Sequence, residues 1–303
     1  MGFWLVDGGT RDYQQSVRLV TFAHRKQQRV GVLHDDAVIA LPFGSMIELI
    51  SAGSTGMAQA HAAIQDARAV RHPISKILLL APIPKPGKML FSGLNYKSHI
   101  NENPHAKFLD GPRCFAKLNN CVIGPGAPIL HPGAHYQVDY EVELGVVIGT
   151  RCHRIDERDA MRYVFGYTIL HDVSARLTQF KDNNETMGKN YDTFAPMGPC
   201  IVTADEIPDP SVLGLRTWLN GKLMQDGTNR DWCFQLPHLL AWLAGAMTLE
   251  PGDIVTTGTP SGVGYFRKPQ VFLSPGDVVR LEIDEIGSLT NPVHAISDNQ
   301  ETA

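Results

Sequence analysis

The chain has 303 residues, of which 43% are hydrophobic and 19% charged, and its formal net charge at pH 7 is −4. This composition is typical of a globular protein and argues against a largely disordered chain. It contains no Lys- or Arg-rich run, which predicts no nucleic-acid partner. It also has no apolar run long enough to span a membrane, and its start lacks the basic-then-apolar pattern of a secretory signal, so we expect no membrane partner.

The cysteines predict free thiols. They are odd in number, widely spaced, and contain no Cys-x-x-Cys pair, which argues against a disulfide framework and against a thiolate zinc site. The five residues are Cys114, Cys121, Cys152, Cys200 and Cys233. Reduced thiols are typical of an intracellular protein, and we expect a cytoplasmic one.

The amino-terminal part of the chain reads as a small accessory domain over residues 1–80. Short alternating apolar runs over residues 17–41 predict a meander of strands. Residues 45–70 have helical character, with breaks expected near Gly53 and Gly56. A proline-dense connector over residues 81–87 then predicts a domain boundary.

The remainder of the chain predicts mostly strands. Residues 88–91 and 138–148 are apolar or alternating, and Asn220-Gly221 predicts a hairpin because this pair accepts the backbone of a type I′ turn. Residues 234–247 predict a helix and residues 156–164 a weaker one. Since strands and helices do not alternate regularly, we expect an α+β fold that is mainly β and not a doubly wound parallel sheet.

The stretch over residues 138–149 carries the most chemical information. Its alternate residues form an apolar face, and the opposite face carries Asp139, Glu141 and Glu143. Like charges about 7 Å apart on one strand disfavour each other, so they either face water or surround a cation. For a lone Glu-x-Glu the solvated face is the commoner arrangement.

A third acidic residue favours the cation. Asp172 stands 29 residues after Glu143 at the end of another apolar strand. Three carboxylates on strands suit Mg²⁺, Mn²⁺ or Ca²⁺, with water or substrate oxygens completing the shell. The alternative for Asp172 is an N-cap of the turn that follows it.

Two loops predict further site residues. His99 and Glu102, three residues apart, would lie on one side of a helical turn, where a carboxylate that orients an imidazole makes a general base. The alternative for this pair is an ordinary surface contact. The glycine-rich segment over residues 258–264 matches neither a P-loop nor a dinucleotide fingerprint, and its alternative is a tight turn.

Taken in order, these segments resemble the fumarylacetoacetate hydrolase family over residues 86–293. The motifs that carry the resemblance are Gly-x-Asn-Tyr-x-x-His-x-x-Glu, Asp-Tyr-Glu-x-Glu-Leu, His-Asp-Val-Ser-Ala-Arg, Gly-Lys-x-x-Asp-Thr-Phe-x-Pro-x-Gly-Pro, Asn-Gly and Gly-Thr-Pro-x-Gly-Val-Gly. Residues 258–277 are most similar to the domain-containing protein 2 branch of that family. The resemblance implies a rolled mixed β-sheet catalytic domain behind a small N-terminal α/β domain, assembled as a homodimer.

The resemblance also implies roles for nine residues. Glu141, Glu143 and Asp172 match ligands of a divalent metal, Mg²⁺ or Mn²⁺. His99 and Glu102 match a dyad on a lid that activates water. Arg176, Gln179 and Lys189 match polar residues around the metal and the substrate's oxygens, and Thr259 matches a substrate-contacting threonine. In such a site Lys189 could stabilise an oxyanion as a catalytic residue.

The function that follows is a metal-dependent hydrolase that cleaves a carbon–carbon bond in a small β-diketo or acylpyruvate acid. Two alternatives use the same scaffold, namely an oxaloacetate decarboxylase and a hydroxymuconate-type isomerase or decarboxylase. A third, of another class, is a metal-bound binding protein without catalysis. The chain departs from the family at Leu177-Thr178, where the family commonly has Asp and an aromatic residue, and this departure bears on substrate choice.

Overall fold

The computed structural model describes residues 17–103 and 107–296. The start of the chain, whose sequence lacks the pattern of a secretory signal, lies outside these residues. The helices are α1 (Met46–Ser51), α2 (Gly53–Gln65), α3 (Lys97–Glu102), α4 (Glu185–Lys189) and α5 (Leu236–Ala246). The strands are β1 (Arg18–His24), β2 (Gln27–His34), β3 (Ala37–Ala40), β4 (Arg71–Pro73), β5 (Leu78–Leu79), β6 (Met89–Gly93), β7 (Arg113–Lys117), β8 (Val122–Ile123), β9 (Ile129–His131), β10 (Val138–Asp139), β11 (Val142–Ile148), β12 (Val164–His171), β13 (Ser174–Ala175), β14 (Ala195–Thr203), β15 (Gly214–Leu219), β16 (Lys222–Thr228), β17 (Ile254–Thr256), β18 (Val278–Ile283) and β19 (Gly287–Ala295). The predicted α+β class, mainly β, is confirmed.

The larger sheet is mixed and has 12 strands, with its main path in the order β4-β3-β2-β1-β14-β12-β11-β17-β6-β7. Most neighbours are antiparallel, while β17 and β6 run parallel. The predicted amino-terminal meander is confirmed as β1 to β3, and β1 pairs with β14, so the meander extends the same sheet. The division of the chain near residue 80 stays a prediction.

The smaller sheet has five strands in the order β16-β15-β18-β19-β9. Its hairpin between β15 and β16 turns at Asn220 and Gly221, whose φ values are +51° and +80°. Both residues therefore have the positive φ that a type I′ turn requires, which confirms the predicted hairpin.

Strand β11 is buried on both faces. Val142, Leu144 and Val146 join the larger hydrophobic core, whereas Val147 joins a second core under α1 and α2. A strand covered on both sides has no solvated face, so acidic residues beside it lie in the interior. This burial rules out the solvated arrangement of the acidic row.

Three predicted elements differ in detail. The strand expected over residues 138–148 is broken into β10 and β11, because Asp139 accepts the backbone N–H groups of Gly264 and Tyr265 and turns the chain away from the larger sheet. The helical region breaks at Gly53, whose φ is +55°, but not at Gly56. A Cβ atom at Gly56 would lie 2.6 Å from the Leu49 carbonyl oxygen, so glycine at this position permits close packing of α2 on α1. The weaker helix is a 3₁₀ segment over Glu157–Tyr163.

None of the helices in the described part of the chain combines the length and hydropathy needed to cross a bilayer. The five cysteines are free thiols, as predicted.

Candidate metal and substrate site

Three buried carboxylates converge beside β11 and β12. Glu141, Glu143 and Asp172 each offer an oxygen, and these oxygens all lie within 4.8 Å of one another. The strand register explains the convergence: Val142 pairs with His171, so Glu141 and Asp172 face each other just beyond the ladder. The Asp172 N–H donates to the Glu141 carbonyl at 2.9 Å and fixes this approach.

The carboxylates differ in their electrostatic surroundings. Burial opposes ionisation of Glu141, but Arg176 and Lys189 outweigh it and hold the pKa of Glu141 well below 4.5. Burial, with Asp172 and Glu141 close by, raises the pKa of Glu143 well above 4.5. Hard oxygen donors in a buried site, one of them poorly compensated by protein cations, fit a divalent cation.

Two buried lysines surround Asp172. The Lys189 Nζ donates to Asp172 at 2.5 Å, to Glu141 at 2.9 Å and to the Ser174 hydroxyl at 2.7 Å, so three acceptors occupy its three N–H groups. Lys189 is thus bound to the carboxylates, and contact with a substrate oxyanion requires that it release one of them.

Lys117 is a site residue that sequence reasoning missed. Its Nζ donates to Asp172 at 2.6 Å and to the carbonyls of Val173 and Phe194 at 2.9 and 2.6 Å. Burial lowers the pKa of Lys117. A lysine that ends a short strand carries no local signal of burial; only its long-range partners place it in the interior.

Arg176 is held from three sides. Its Nε donates to Asp139 at 2.9 Å, and its two terminal nitrogens donate to Glu141 at 2.5 Å and to Gln179 at 3.0 Å. Asp139 therefore does not belong to the carboxylate cluster; it positions Arg176. The sequence pattern places Asp139 on the same acidic face as Glu141 and Glu143, and does not indicate that its partner is Arg176.

The predicted dyad is assembled. The His99 Nδ1 lies 2.8 Å from a Glu102 carboxylate oxygen, and the other oxygen of Glu102 accepts the Gly262 N–H at 2.6 Å. The His99 ring packs edge-on against Phe266 at 5.9 Å between centroids. Helix α3 is thus tied to the glycine-rich loop, and the Nδ1 contact leaves Nε2 as the nitrogen for proton exchange.

One cavity of about 310 Å³ unites these groups. Of the nine predicted residues, all but Glu102 line it, and Glu102 contacts His99. Thr259 lines the cavity, and its hydroxyl oxygen accepts a hydrogen bond from the Gln225 side-chain amide at 2.8 Å. Leu177 and Thr178 are absent from the described lining, and the Thr178 hydroxyl instead lies 3.2 Å from that of Tyr191.

Comparison with known proteins identifies the family to which the chain belongs. Residues 88–294 match the family model described as fumarylacetoacetate (FAA) hydrolase, C-terminal. The chain is 44% identical over 250 residues to a Xenopus laevis protein named oxaloacetate tautomerase fahd2, mitochondrial, covering 82% of this chain and 78% of the relative. It is 41% identical over 223 residues to human oxaloacetate tautomerase FAHD2A, mitochondrial, covering 73% and 71%.

Solved structures give the same fold. A maleylpyruvate hydrolase from Sphingobium sp. SYK-6, in complex with manganese(II) and pyruvate, superposes with a TM-score of 0.79 at 31% identity, covering 92% of this chain and all of that one. A 5-carboxymethyl-2-hydroxymuconate delta-isomerase from Mycobacterium smegmatis has a TM-score of 0.74 at 31% identity, with the same coverage. Hydrolases and isomerases thus share this scaffold.

The expectation of a cytoplasmic protein was wrong: the frog and human relatives are both named mitochondrial. Free thiols indicate a reducing environment and do not distinguish between the compartments that provide one. The matched family model, the relatives and the shared fold lead to one conclusion. The chain is an enzyme of the fumarylacetoacetate hydrolase family, in its domain-containing protein 2 branch.

Proposed function

We propose that the enzyme catalyses keto–enol tautomerisation of oxaloacetate or a closely similar dicarboxylic keto acid. The observation that carries the proposal is the His99–Glu102 pair, already oriented, in the same cavity as the three carboxylates. The names of the frog and human relatives support this reaction over carbon–carbon cleavage.

Glu141, Glu143 and Asp172 would hold a divalent cation, Mg²⁺ or Mn²⁺, with Ca²⁺ as a further candidate. When bound, the cation supplies Lewis-acid polarisation of the substrate's keto oxygen. Lys117 and Lys189 hold Asp172 in place, and Arg176 does the same for Glu141.

The dyad supplies the proton transfer. Glu102 accepts the Nδ1–H of His99, which orients the ring and leaves Nε2 to exchange a proton with carbon 3 of the substrate. In the direction of ketonisation, His99 gives its proton to carbon 3 and regains through water the proton lost from the enol oxygen. One proton moves, and none is consumed.

The second candidate is hydrolysis of an acylpyruvate. The same dyad could activate water for attack on a distal carbonyl, and the manganese-containing maleylpyruvate hydrolase shares the fold. Lys189 could stabilise the oxyanion if it released one of its present acceptors.

One experiment separates the candidates. Decay of enol ultraviolet absorbance would be followed for oxaloacetate and for acetylpyruvate, with Mn²⁺ or with excess EDTA, while pyruvate is assayed in the same samples. Tautomerisation predicts metal-dependent decay for oxaloacetate without pyruvate above the spontaneous background. Pyruvate together with acetate from acetylpyruvate would indicate the hydrolase, and pyruvate from oxaloacetate alone would indicate decarboxylation.

Two features of the cellular protein belong to the same proposal. The names of the relatives support a mitochondrial location, which fractionation of the source cells tests. A homodimer is expected from the family resemblance, and light scattering on the purified protein tests it.

A further inference from the structure

The cavity lining contains an ion pair that the reaction described above does not use. Arg113 lies on β7 and donates to Glu185 on α4 at 2.7 Å. Both residues line the cavity, and the Arg113 side chain is 52% exposed. Exposed pairs of this kind contribute about 0–1 kcal/mol to stability, so stability alone gives little reason for the pair.

The other cations of the cavity are already engaged. Lys189 has three buried acceptors, and each nitrogen of Arg176 donates to Asp139, Glu141 or Gln179. Arg113, in contrast, holds one partner, and that partner is a part-exposed carboxylate on a five-residue helix. Among the cations of the described lining, Arg113 is the one that can exchange its partner at low cost.

The strand places Arg113 well for such an exchange. Arg113 and Phe115 both line the cavity from β7, and Arg113 pairs across the sheet with Gly93. Since Gly93 has no side chain, the aliphatic part of Arg113 lies over it: a Cβ built there would be 3.6 Å from the Arg113 Cδ. Arg113 thus brings to the cavity lining a guanidinium whose planar fork matches a carboxylate.

We propose that Arg113 binds the distal carboxylate of a dicarboxylic keto acid, with Glu185 occupying it until the substrate arrives. This inference rests on the proposed function, since it assumes that the keto-acid end lies at the three carboxylates. Arg113 is then a specificity residue that selects dicarboxylates over monocarboxylates of the same length.

The test uses two ligands that differ only at the distal end. Oxaloacetate carries a carboxylate where 2-oxobutyrate carries a methyl group. Dissociation constants for both would be measured by stopped-flow protein fluorescence on the Mg²⁺-loaded full chain, before oxaloacetate decays. Arg113→Gln should weaken oxaloacetate binding about 10- to 100-fold and leave 2-oxobutyrate within about twofold.

Three further variants sharpen the result. Arg113→Lys should recover part of the oxaloacetate affinity, because lysine keeps the charge and loses the fork. Glu185→Gln should tighten oxaloacetate binding several-fold by removing the competitor. The control is Arg151→Gln, because Arg151 is also an exposed arginine paired with a glutamate, Glu250, but is not among the residues that line the cavity.

The outcomes separate the two proposals. Selective loss of oxaloacetate binding in Arg113→Gln supports the role of Arg113. If the wild type nevertheless fails to tautomerise oxaloacetate, only the proposed function is rejected. Equal changes for both ligands, no change, or a wild type that does not distinguish them overturns the role of Arg113. Catalysed tautomerisation alongside such a result would leave the proposed function standing.

Discussion

Asp139 offers a sharp test of how the site is built. It is fully buried, and each oxygen of its carboxylate accepts two N–H groups: one from Tyr140 and Gly264, the other from Tyr265 and the Arg176 Nε, at 2.7 to 2.9 Å. All four partners are donors. Asp139→Asn keeps the shape of the side chain but replaces one acceptor oxygen with an NH₂ group that faces two donors.

The structure sets the size of the effect. Two hydrogen bonds are lost whichever oxygen the NH₂ group replaces, the buried Arg176 loses its charged partner, and each buried group left unsatisfied costs about 1–3 kcal/mol. Removing one partner of a buried ion pair costs about 3–5 kcal/mol. We therefore expect Asp139→Asn to lower the free energy of unfolding by about 3–5 kcal/mol, a large share of the ~5–15 kcal/mol typical of proteins.

The assay is equilibrium unfolding in urea, followed by circular dichroism on the metal-free protein. The matched control is Asp156→Asn: Asp156 also accepts a backbone N–H and an arginine, Arg158, but it is half-exposed. Asp156 is the N-cap of the 3₁₀ segment Glu157–Tyr163. Because asparagine is as good an N-cap residue as aspartate, this control should change the free energy of unfolding by less than about 1 kcal/mol. If both variants lose the same amount, the buried anchoring of Arg176 by Asp139 is refuted.

Three more variants test other parts of the site. His99→Gln should reduce turnover about 10²- to 10⁴-fold without changing Mn²⁺ affinity in calorimetry; full turnover would remove His99 as the proton carrier. Glu143→Gln should stabilise the metal-free protein at neutral pH. Because folding raises the pKa of Glu143, its contribution to the stability of the wild type falls as the pH rises above about 4.5. Urea unfolding from pH 4 to 8 should show this fall in the wild type and not in the variant. Lys117→Met should lower the free energy of unfolding by about 3–5 kcal/mol, against a negligible change for the exposed Lys222→Met; equal small changes would show that Lys117 does not support Asp172.

The sequence predicts the parts of this site that lie within a single element. Glu141 and Glu143 alternate along one apolar stretch, Asp172 directly follows a strand, and His99 and Glu102 are one helical turn apart. Each of these patterns has a short period, so the local chain determines it. The hairpin at Asn220-Gly221 is predictable for the same reason.

Long-range contacts escape such reasoning. Asp139 looks like a third member of the acidic row, and only contacts with residues 37 and 125 positions away give it a different role. Lys117 contacts Asp172 across 55 residues, and the pairing of β1 with β14 spans about 180. The break between β10 and β11 arises from the same contacts of Asp139, which no two-residue period encodes.

The proposed chemistry depends on a divalent cation held by Glu141, Glu143 and Asp172. Glu143 is the ligand to change, because Gln at this position removes the charge without depriving Arg176 or Lys189 of a partner. Calorimetric titration of metal-free protein with Mn²⁺ should give one site per chain in the wild type and at least a 100-fold weaker one in Glu143→Gln. The exposed Glu157→Gln should bind like the wild type. Equal Mn²⁺ affinity in all three proteins would show that the cation does not bind at these carboxylates.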